Sequence, residues 1–366
     1  MSSLSPSGPI HGGDIWGAAR HLQEDPRRIL DLSASLNPLG PPPGLDRVIL
    51  RALELVCHYP DRSNFELRRV LAQKLGLQPE NILIGNGSTA LIRLLARALE
   101  LKTILVMAPV FGEFPRSLAL ASRHFHYHQL SERNHFLPSL EDMEKAWEQE
   151  PSCLVLTNPQ TPCGELVDPE VLDFCLEQAQ RRRAWMVVDE AFMDFAPGQA
   201  RRWALERVAR HPRLVVLRSL TKFYCMAGLR LGYLLCHQRT MPPLAELGEP
   251  WSVNTLAQAA GVFCLQQDDY AQETRRLVRQ WRREMRAELE KMGMEVYPSQ
   301  VNYLLTRLPA GGPEAAAVAA ACAEKGVLLR ACASFPGCGP RHLRLAVTTP
   351  QERQRLYPVL ERALSA

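Results

Sequence analysis

Four short apolar runs in this 366-residue sequence each end on residues able to do chemistry. Thr103–Ala108 is followed by Pro109 and Phe111, and Cys153–Thr157 by Asn158 and Pro159. Trp185–Val188 is followed by Asp189 and Glu190, and Leu214–Leu217 by Ser219, Thr221 and Lys222. A pyridine-ring cofactor with a phosphate and an aldehyde needs this inventory. Asp189 can keep the ring nitrogen protonated, which makes the ring an electron sink. Lys222 can form an imine with the aldehyde carbon and then act as acid or base. Asn158 can bond the ring hydroxyl and Phe111 can stack on the ring. For the phosphate, the stretch Gly85-Asn86-Gly87-Ser88-Thr89 precedes a helical pattern, where free backbone N–H groups and the helix dipole favour an anion. Ser219 and Thr221 add hydroxyls, and Arg230 adds a charged fork. Taken singly these signals are weak, since a glycine turn is often a cap and a lone lysine is usually solvated. Their recurrence in this order carries the argument.

The elements that must position these groups follow from the pattern around them. Short, continuously apolar runs are expected of strands covered on both faces. Helical patterns such as Ala90–Leu99 alternate with them, which predicts an α/β fold with a large, doubly wound, mostly parallel sheet over residues 46–250. Ligands of such sheets bind beyond the carboxyl ends of the strands, where the chemical residues lie. Residues 1–45 are rich in Pro, Gly and Ser and close on Pro41-Pro42-Pro43-Gly44, which predicts an arm. Beyond Pro250 come a long helix over Ala271–Met292, a strand at Tyr303–Thr306, a helix at Glu314–Lys325, strands at Val327–Arg330 and His342–Val347, and a last helix from Pro350. These predict a smaller α/β domain over 251–366.

Composition narrows the function classes. A formal charge of +4 is small for this length and gives no reason to expect a nucleic-acid binder, which normally shows a clustered basic stripe. Arg181-Arg182-Arg183 is expected to be a solvated helix end. No segment approaches the roughly 20 apolar residues needed to span a bilayer, and the first ten residues do not read as a secretory signal. The ten cysteines form no CxxC pair, so free thiols in a cytoplasmic protein are expected, with no zinc ribbon or dithiol motif. His124, His126 and His128 alternate along an expected strand. A polar surface strand explains them better than a metal site.

The segments NPQTPCG (158–164), VDEAFMDF (188–195) and SLTKFYCMAGLRLGY (219–233) resemble the fold-type I pyridoxal-phosphate aminotransferase superfamily. They are most similar to the branch holding histidinol-phosphate aminotransferases and threonine-phosphate decarboxylases. The resemblance implies a pyridoxal 5′-phosphate cofactor, with Lys222 as the Schiff-base lysine, Asp189 as partner of the pyridine nitrogen and Asn158 of the ring hydroxyl. It also implies a phosphate cup containing Gly87, Ser88, Ser219 and Arg230, with Thr89 and Thr221 as further cofactor-binding residues. It further implies a homodimer in which Tyr59, of the stretch HYPD (58–61), reaches the cofactor phosphate of the partner.

Within the branch, HGGD (11–14), DLSASLNPLG (31–40) and SQVNYLL (299–305) resemble the decarboxylases. Aminotransferases of the branch usually carry Tyr where Phe192 stands, which leaves the ring oxygen to Asn158. The substrate implied is L-threonine O-3-phosphate, with the aminotransferase as the alternative. Arg344 would hold the substrate carboxylate, with Asn37 and Asn302 nearby, and Arg330 and His11 would hold the substrate phosphate.

Overall fold

A computed structural model of the chain describes residues 12–118 and 124–365. The arm contributes a two-residue strand, Leu30–Asp31 (β1). The large sheet follows: Ile82–Asn86 (β2), Thr103–Ala108 (β3), His124–Gln129 (β4), Cys153–Thr157 (β5), Trp185–Asp189 (β6), Leu214–Ser219 (β7) and Leu231–Cys236 (β8). Its strand order is β2-β8-β7-β6-β5-β3-β4. Strand β8 runs antiparallel to both neighbours, and all other pairs are parallel. Every residue of β5, β7 and β8 is buried, as both-face coverage by helices requires.

The four apolar runs are strands at the expected places. β2 and β8 were not legible as strands. Gly85 and Asn86 at the end of β2 resemble a turn, and β8 is hidden in the lysine-bearing segment. The histidines lie on β4, the sheet edge. His124 and His126 are exposed, and His128 Nε2 lies 3.6 Å from Asp142 Oδ1. Among the described residues no three His, Cys, Asp or Glu side chains gather as a metal site would need. Arg181, Arg182 and Arg183 are exposed at the end of the helix Pro169–Arg181. No helix among the described residues is long and apolar enough to cross a membrane.

The C-terminal sheet is built from Glu295–Val296 (β9), Tyr303–Arg307 (β10), Arg330–Ala331 and His342–Ala346. Just before Arg330, Val327–Leu328 (β11) leaves that sheet and pairs in parallel with β1 of the arm. The expected strand Val327–Arg330 is therefore two, β11 and Arg330–Ala331 (β12), with Leu329 between them. The sheet order is β12-β13-β10-β9, where β13 is His342–Ala346, and all pairs are antiparallel. The helix Thr255–Leu265 packs on Leu45–Ala52 and Phe65–Leu75, so it sits with the large sheet's helices. The helix Asp268–Lys291 then buries Ala271, Thr274, Val278, Trp281, Met285 and Leu289 on one face, the three-to-four spacing of an amphipathic helix.

Candidate active site

The carboxyl ends of β3, β5, β6 and β7 open into a cleft of about 360 Å³, closed by the arm and by β12 and β13. Gly87, Ser88 and Thr89 line it at the start of the helix Gly87–Ala98. Phe111, Asp189, Ser219, Thr221, Lys222 and Arg230 line it from the ends of β3, β6, β7 and the turn before β8. Residues far apart in sequence meet here because parallel strands end on one edge of the sheet.

Lys222 sits on the short helix Leu220–Phe223, directly after β7. Its Nζ donates to Ser219 Oγ at 3.3 Å and lies 5.7 Å from the centre of the Phe192 ring. Burial pushes its pKa from 10.5 down to about 8; the Asp189 charge opposes this, while Arg230 and Arg344 reinforce it. A neutral amine is thereby accessible near neutral pH, as a nucleophile requires. Burial raises the Asp189 carboxyl above its ordinary range, against the Lys222 charge and the Ala191 N–H. Asp189 Oδ1 accepts that N–H at 2.9 Å.

Asn158 is buried, and it is the next residue, Pro159, that lines the cleft. The Asn158 backbone N–H donates to Asp189 O at 2.9 Å, tying the ends of β5 and β6. Its Oδ1 accepts the Val167 N–H at 3.1 Å, which fixes the amide orientation and leaves Nδ2 as the donor for a ligand.

At the helix Gly87–Ala98, Gly87 has φ +76°, and a Cβ there would lie 2.6 Å from an Arg230 guanidinium nitrogen. The absent side chain makes the cradle, because Arg230 and the first N–H groups of the helix share one spot. Ser219 Oγ and Thr221 Oγ1 lie 2.8 Å apart beside it. A carboxyl, an amine of lowered pKa and a glycine-floored anion cradle in one cleft fit a pyridine aldehyde bearing a phosphate.

Opposite stand two buried arginines, Arg330 and Arg344. Arg330 donates to Ser334 Oγ at 2.8 Å, and Arg344 to Ser33 O at 3.2 Å. The Arg344 guanidinium lies 4.8 Å from the Tyr303 ring centre, and its buried Nε meets no hydrogen-bond acceptor. Burial and the Arg344 charge lower the Arg330 pKa. The pair is suited to an anion.

Other expected residues lie elsewhere. Asn37 does not face the cleft. Its Nδ2 bonds Phe223 O at 2.7 Å and Tyr270 Oη at 2.7 Å, its N–H bonds Lys222 O at 3.0 Å, and its Oδ1 accepts the Leu39 N–H at 3.1 Å. With every group engaged by protein, it braces the backbone of the lysine. Asn302 does not line the cleft either; its Nδ2 donates to Ser35 O at 2.7 Å and Leu36 O at 3.0 Å, which pins the arm, while its buried Oδ1 meets no donor. Tyr59 is 80% exposed and stacks on Trp251, with ring centres 4.8 Å apart, outside this chain's own cleft. His11 lies outside the described residues. The cleft also contains Ser33, Ser334 and Phe335, which sequence reasoning did not single out. Ser334 and Phe335 sit in the Gly- and Cys-rich turn after Arg330, whose composition reads only as a loop.

Residues 28–360 match the family of class I and II aminotransferases. The chain is 32% identical to threonine-phosphate decarboxylase of Salmonella typhimurium, over 97% of this chain and 96% of that protein. It is 34% identical to histidinol-phosphate aminotransferase of Symbiobacterium thermophilum, over 92% and 91% of the two chains. Among solved structures, histidinol-phosphate aminotransferase from Sinorhizobium meliloti in complex with pyridoxal 5′-phosphate superposes with a TM-score of 0.84. It is 23% identical, covers 100% of this chain and 99% of that one, and bears on the fold alone.

Proposed function

The chain belongs to the class I and II aminotransferase family, and from that premise we propose that it is a pyridoxal-phosphate-dependent decarboxylase of L-threonine O-3-phosphate. The products are carbon dioxide and (R)-1-amino-2-propanol O-2-phosphate, the unit of the aminopropanol arm of cobalamin. The observation that carries this reading is the pair Arg330 and Arg344, buried side by side across the cleft from Lys222. A substrate with a carboxylate and a phosphate matches two guanidiniums.

Lys222 would hold the cofactor, Asp189 would meet its ring nitrogen, Asn158 its ring hydroxyl, and Phe111 its ring face. Gly87, Ser88, Thr89, Ser219, Thr221 and Arg230 hold its phosphate. When bound, the cofactor supplies an electron sink conjugated to the substrate α-carbon. Which bond at that carbon breaks would depend on how the substrate is held against the bound cofactor, so orientation decides the reaction. Arg344 grips the substrate carboxylate and directs the C–COO⁻ bond there; Arg330, with His11, anchors the substrate phosphate. Lys222 Nζ, its pKa near 8, carries the proton returned to the α-carbon. Phe192 offers no hydroxyl to the ring oxygen, and its ring packs edge-on against Tyr303 at 4.9 Å instead.

A homodimer belongs to the same proposal, with Tyr59 serving the partner's site. Support comes from the exposed apolar side chains Leu50, Leu53, Leu55, Val56 and Phe65, near Tyr59 in sequence. A cytoplasmic location accords with the ten unpaired cysteines. The arm (1–45), the cofactor lobe (46–250) and the small lobe (251–366) form the proposed organisation. The packing of Thr255–Leu265 favours moving the last boundary to the start of Asp268–Lys291.

The alternative, amino transfer from histidinol phosphate to 2-oxoglutarate, is favoured by the relative at 34% identity. The test is to incubate the holoenzyme with L-threonine O-3-phosphate and no oxo acid. Carbon dioxide with the phosphorylated amino alcohol is the expected result. No carbon dioxide, with amino transfer from histidinol phosphate instead, overturns the decarboxylase.

A further inference from the structure

The helix Asp268–Lys291 has a second face that the chemistry above does not use. Arg279, Arg282, Arg283 and Arg286 line a groove of about 460 Å³ whose floor includes Ser299 and Gln300. Spacings of three and four residues put these guanidiniums on one side of the helix.

Several arginines elsewhere in this protein are matched to acids. On the same helix Arg276 meets Glu273 at 2.6 Å and Arg286 meets Glu290 at 2.8 Å. Arg207 meets Asp173 at 2.7 Å, and Arg353 meets Glu284 at 2.6 Å. Arg279 and Arg283 are exposed and make no hydrogen bond or ion pair to any described residue. Between them Arg282 is half-buried, and its Nη1 donates to Val301 O at 2.8 Å. Burial lowers the Arg282 pKa to about 10; Glu165 opposes this, and the like charges of Arg279 and Arg283 add to it. Three of the guanidiniums that line the groove, those of Arg279, Arg282 and Arg283, have no ion-pair partner among the described residues. Like charges placed on one face of a helix repel one another, and an anion bound among them relieves that repulsion.

We propose that this groove binds a small polyphosphorylated ligand, at a site distinct from the catalytic cleft. Guanidinium forks bind phosphate oxygens in pairs, which favours phosphates over single carboxylates. The floor is polar, since the Gln300 side chain makes no hydrogen bond and can serve the ligand. A concave groove of this size accepts a small molecule more readily than the flat face of an acidic protein. The floor also touches catalytic structure: Gln300 N–H donates to Gly164 O at 2.8 Å, at the end of the loop that begins with Asn158.

The test is calorimetric titration of the holoenzyme with inorganic tripolyphosphate at physiological salt, in the natural protein and in the Arg279→Ala/Arg283→Ala variant. Both residues are exposed, and the variant is expected to keep the natural kcat/KM. The natural protein should show a saturable event whose Kd rises at least about tenfold in the variant, as expected for two lost charge-assisted contacts. The Arg27→Ala variant, altered at an exposed Arg27–Asp25 pair, should bind as the natural protein does. Equal binding by the natural protein and the double variant would overturn the proposal. So would a heat that equal ionic strength of sodium chloride reproduces, or saturable binding of polyglutamate but not of tripolyphosphate.

Discussion

Arg330 and Arg344 are direct Cα partners across the antiparallel pair β12 and β13, and their guanidiniums lie 5.3 and 5.9 Å from the Phe335 ring. Like charges directly opposite each other on a sheet are unfavourable. Here burial deepens the conflict, because it lowers the Arg330 pKa and leaves Arg344 Nε without an acceptor. A substrate with two anionic ends relieves both.

Removing one of the two should separate binding from orientation. Arg344→Ala is expected to lower kcat/KM roughly 100-fold or more, since losing one partner of a buried charged contact costs about 3–5 kcal/mol. Some of the remaining turnover should go to amino transfer, because the carboxylate is no longer held. Carbon dioxide measured against amine product checks this, and an unchanged product ratio would count against Arg344 as the orienting group.

The lowered pKa of Lys222 gives a pH signature. Below about 8 the amine is mostly protonated, and only the neutral form attacks the cofactor aldehyde. Reconstitution of apoprotein with pyridoxal phosphate should therefore accelerate about tenfold per pH unit until pH approaches 8, then level off. Stopped-flow absorbance follows it. A rise continuing unbroken to pH 10.5, the ordinary lysine value, would show that burial has not shifted the group.

Gly87→Ala tests the anion cradle. At φ +76° with Arg230 2.6 Å away, an added methyl must displace the guanidinium, and the left-handed backbone adds about 1–2 kcal/mol of strain. Cofactor Kd is expected to rise by about tenfold or more while the helix content stays the same. Equilibrium dialysis with circular dichroism separates the two effects.

Glu190 and Arg218 form a fully buried ion pair at 2.6 Å, one residue from Asp189 and one from Ser219. Burial raises the Glu190 pKa, so the pair depends on both partners being present. Arg218→Met should destabilise the fold by about 3–5 kcal/mol, and adding Glu190→Gln should recover much of that. Urea midpoints of the two variants decide it; equal losses in both would argue that packing, not charge, holds this corner.

Tyr59 can be tested by mixing inactive chains. Tyr59→Ala and Lys222→Ala each leave one defect per site, and a mixed dimer should contain one intact site if Tyr59 acts across the interface. Recovered activity on co-refolding supports the shared site. None would assign Tyr59 to packing with Trp251.

The sequence by itself determined the types and order of Asn158, Asp189, Ser219 and Lys222, and the strands that end on them. These are local facts, because each residue directly follows an apolar run whose length and composition specify a buried parallel strand. It also carried the family, through contiguous segments around Lys222. Tertiary structure alone decided which distant residues share the cleft. Asn37 and Asn302 were expected at the substrate, yet neither lines the cleft: the Asn37 amide is held by Lys222's neighbours, and the Asn302 Nδ2 is held by the arm. Ser33, Ser334 and Phe335 went unnoticed because nothing in a serine or a loop phenylalanine reports which wall it will face. The juxtaposition of Arg330 and Arg344 depends on the register of β12 against β13. A shift of one residue would turn one arginine to the opposite face, and register is fixed by the packing of the whole sheet rather than by neighbours in the chain.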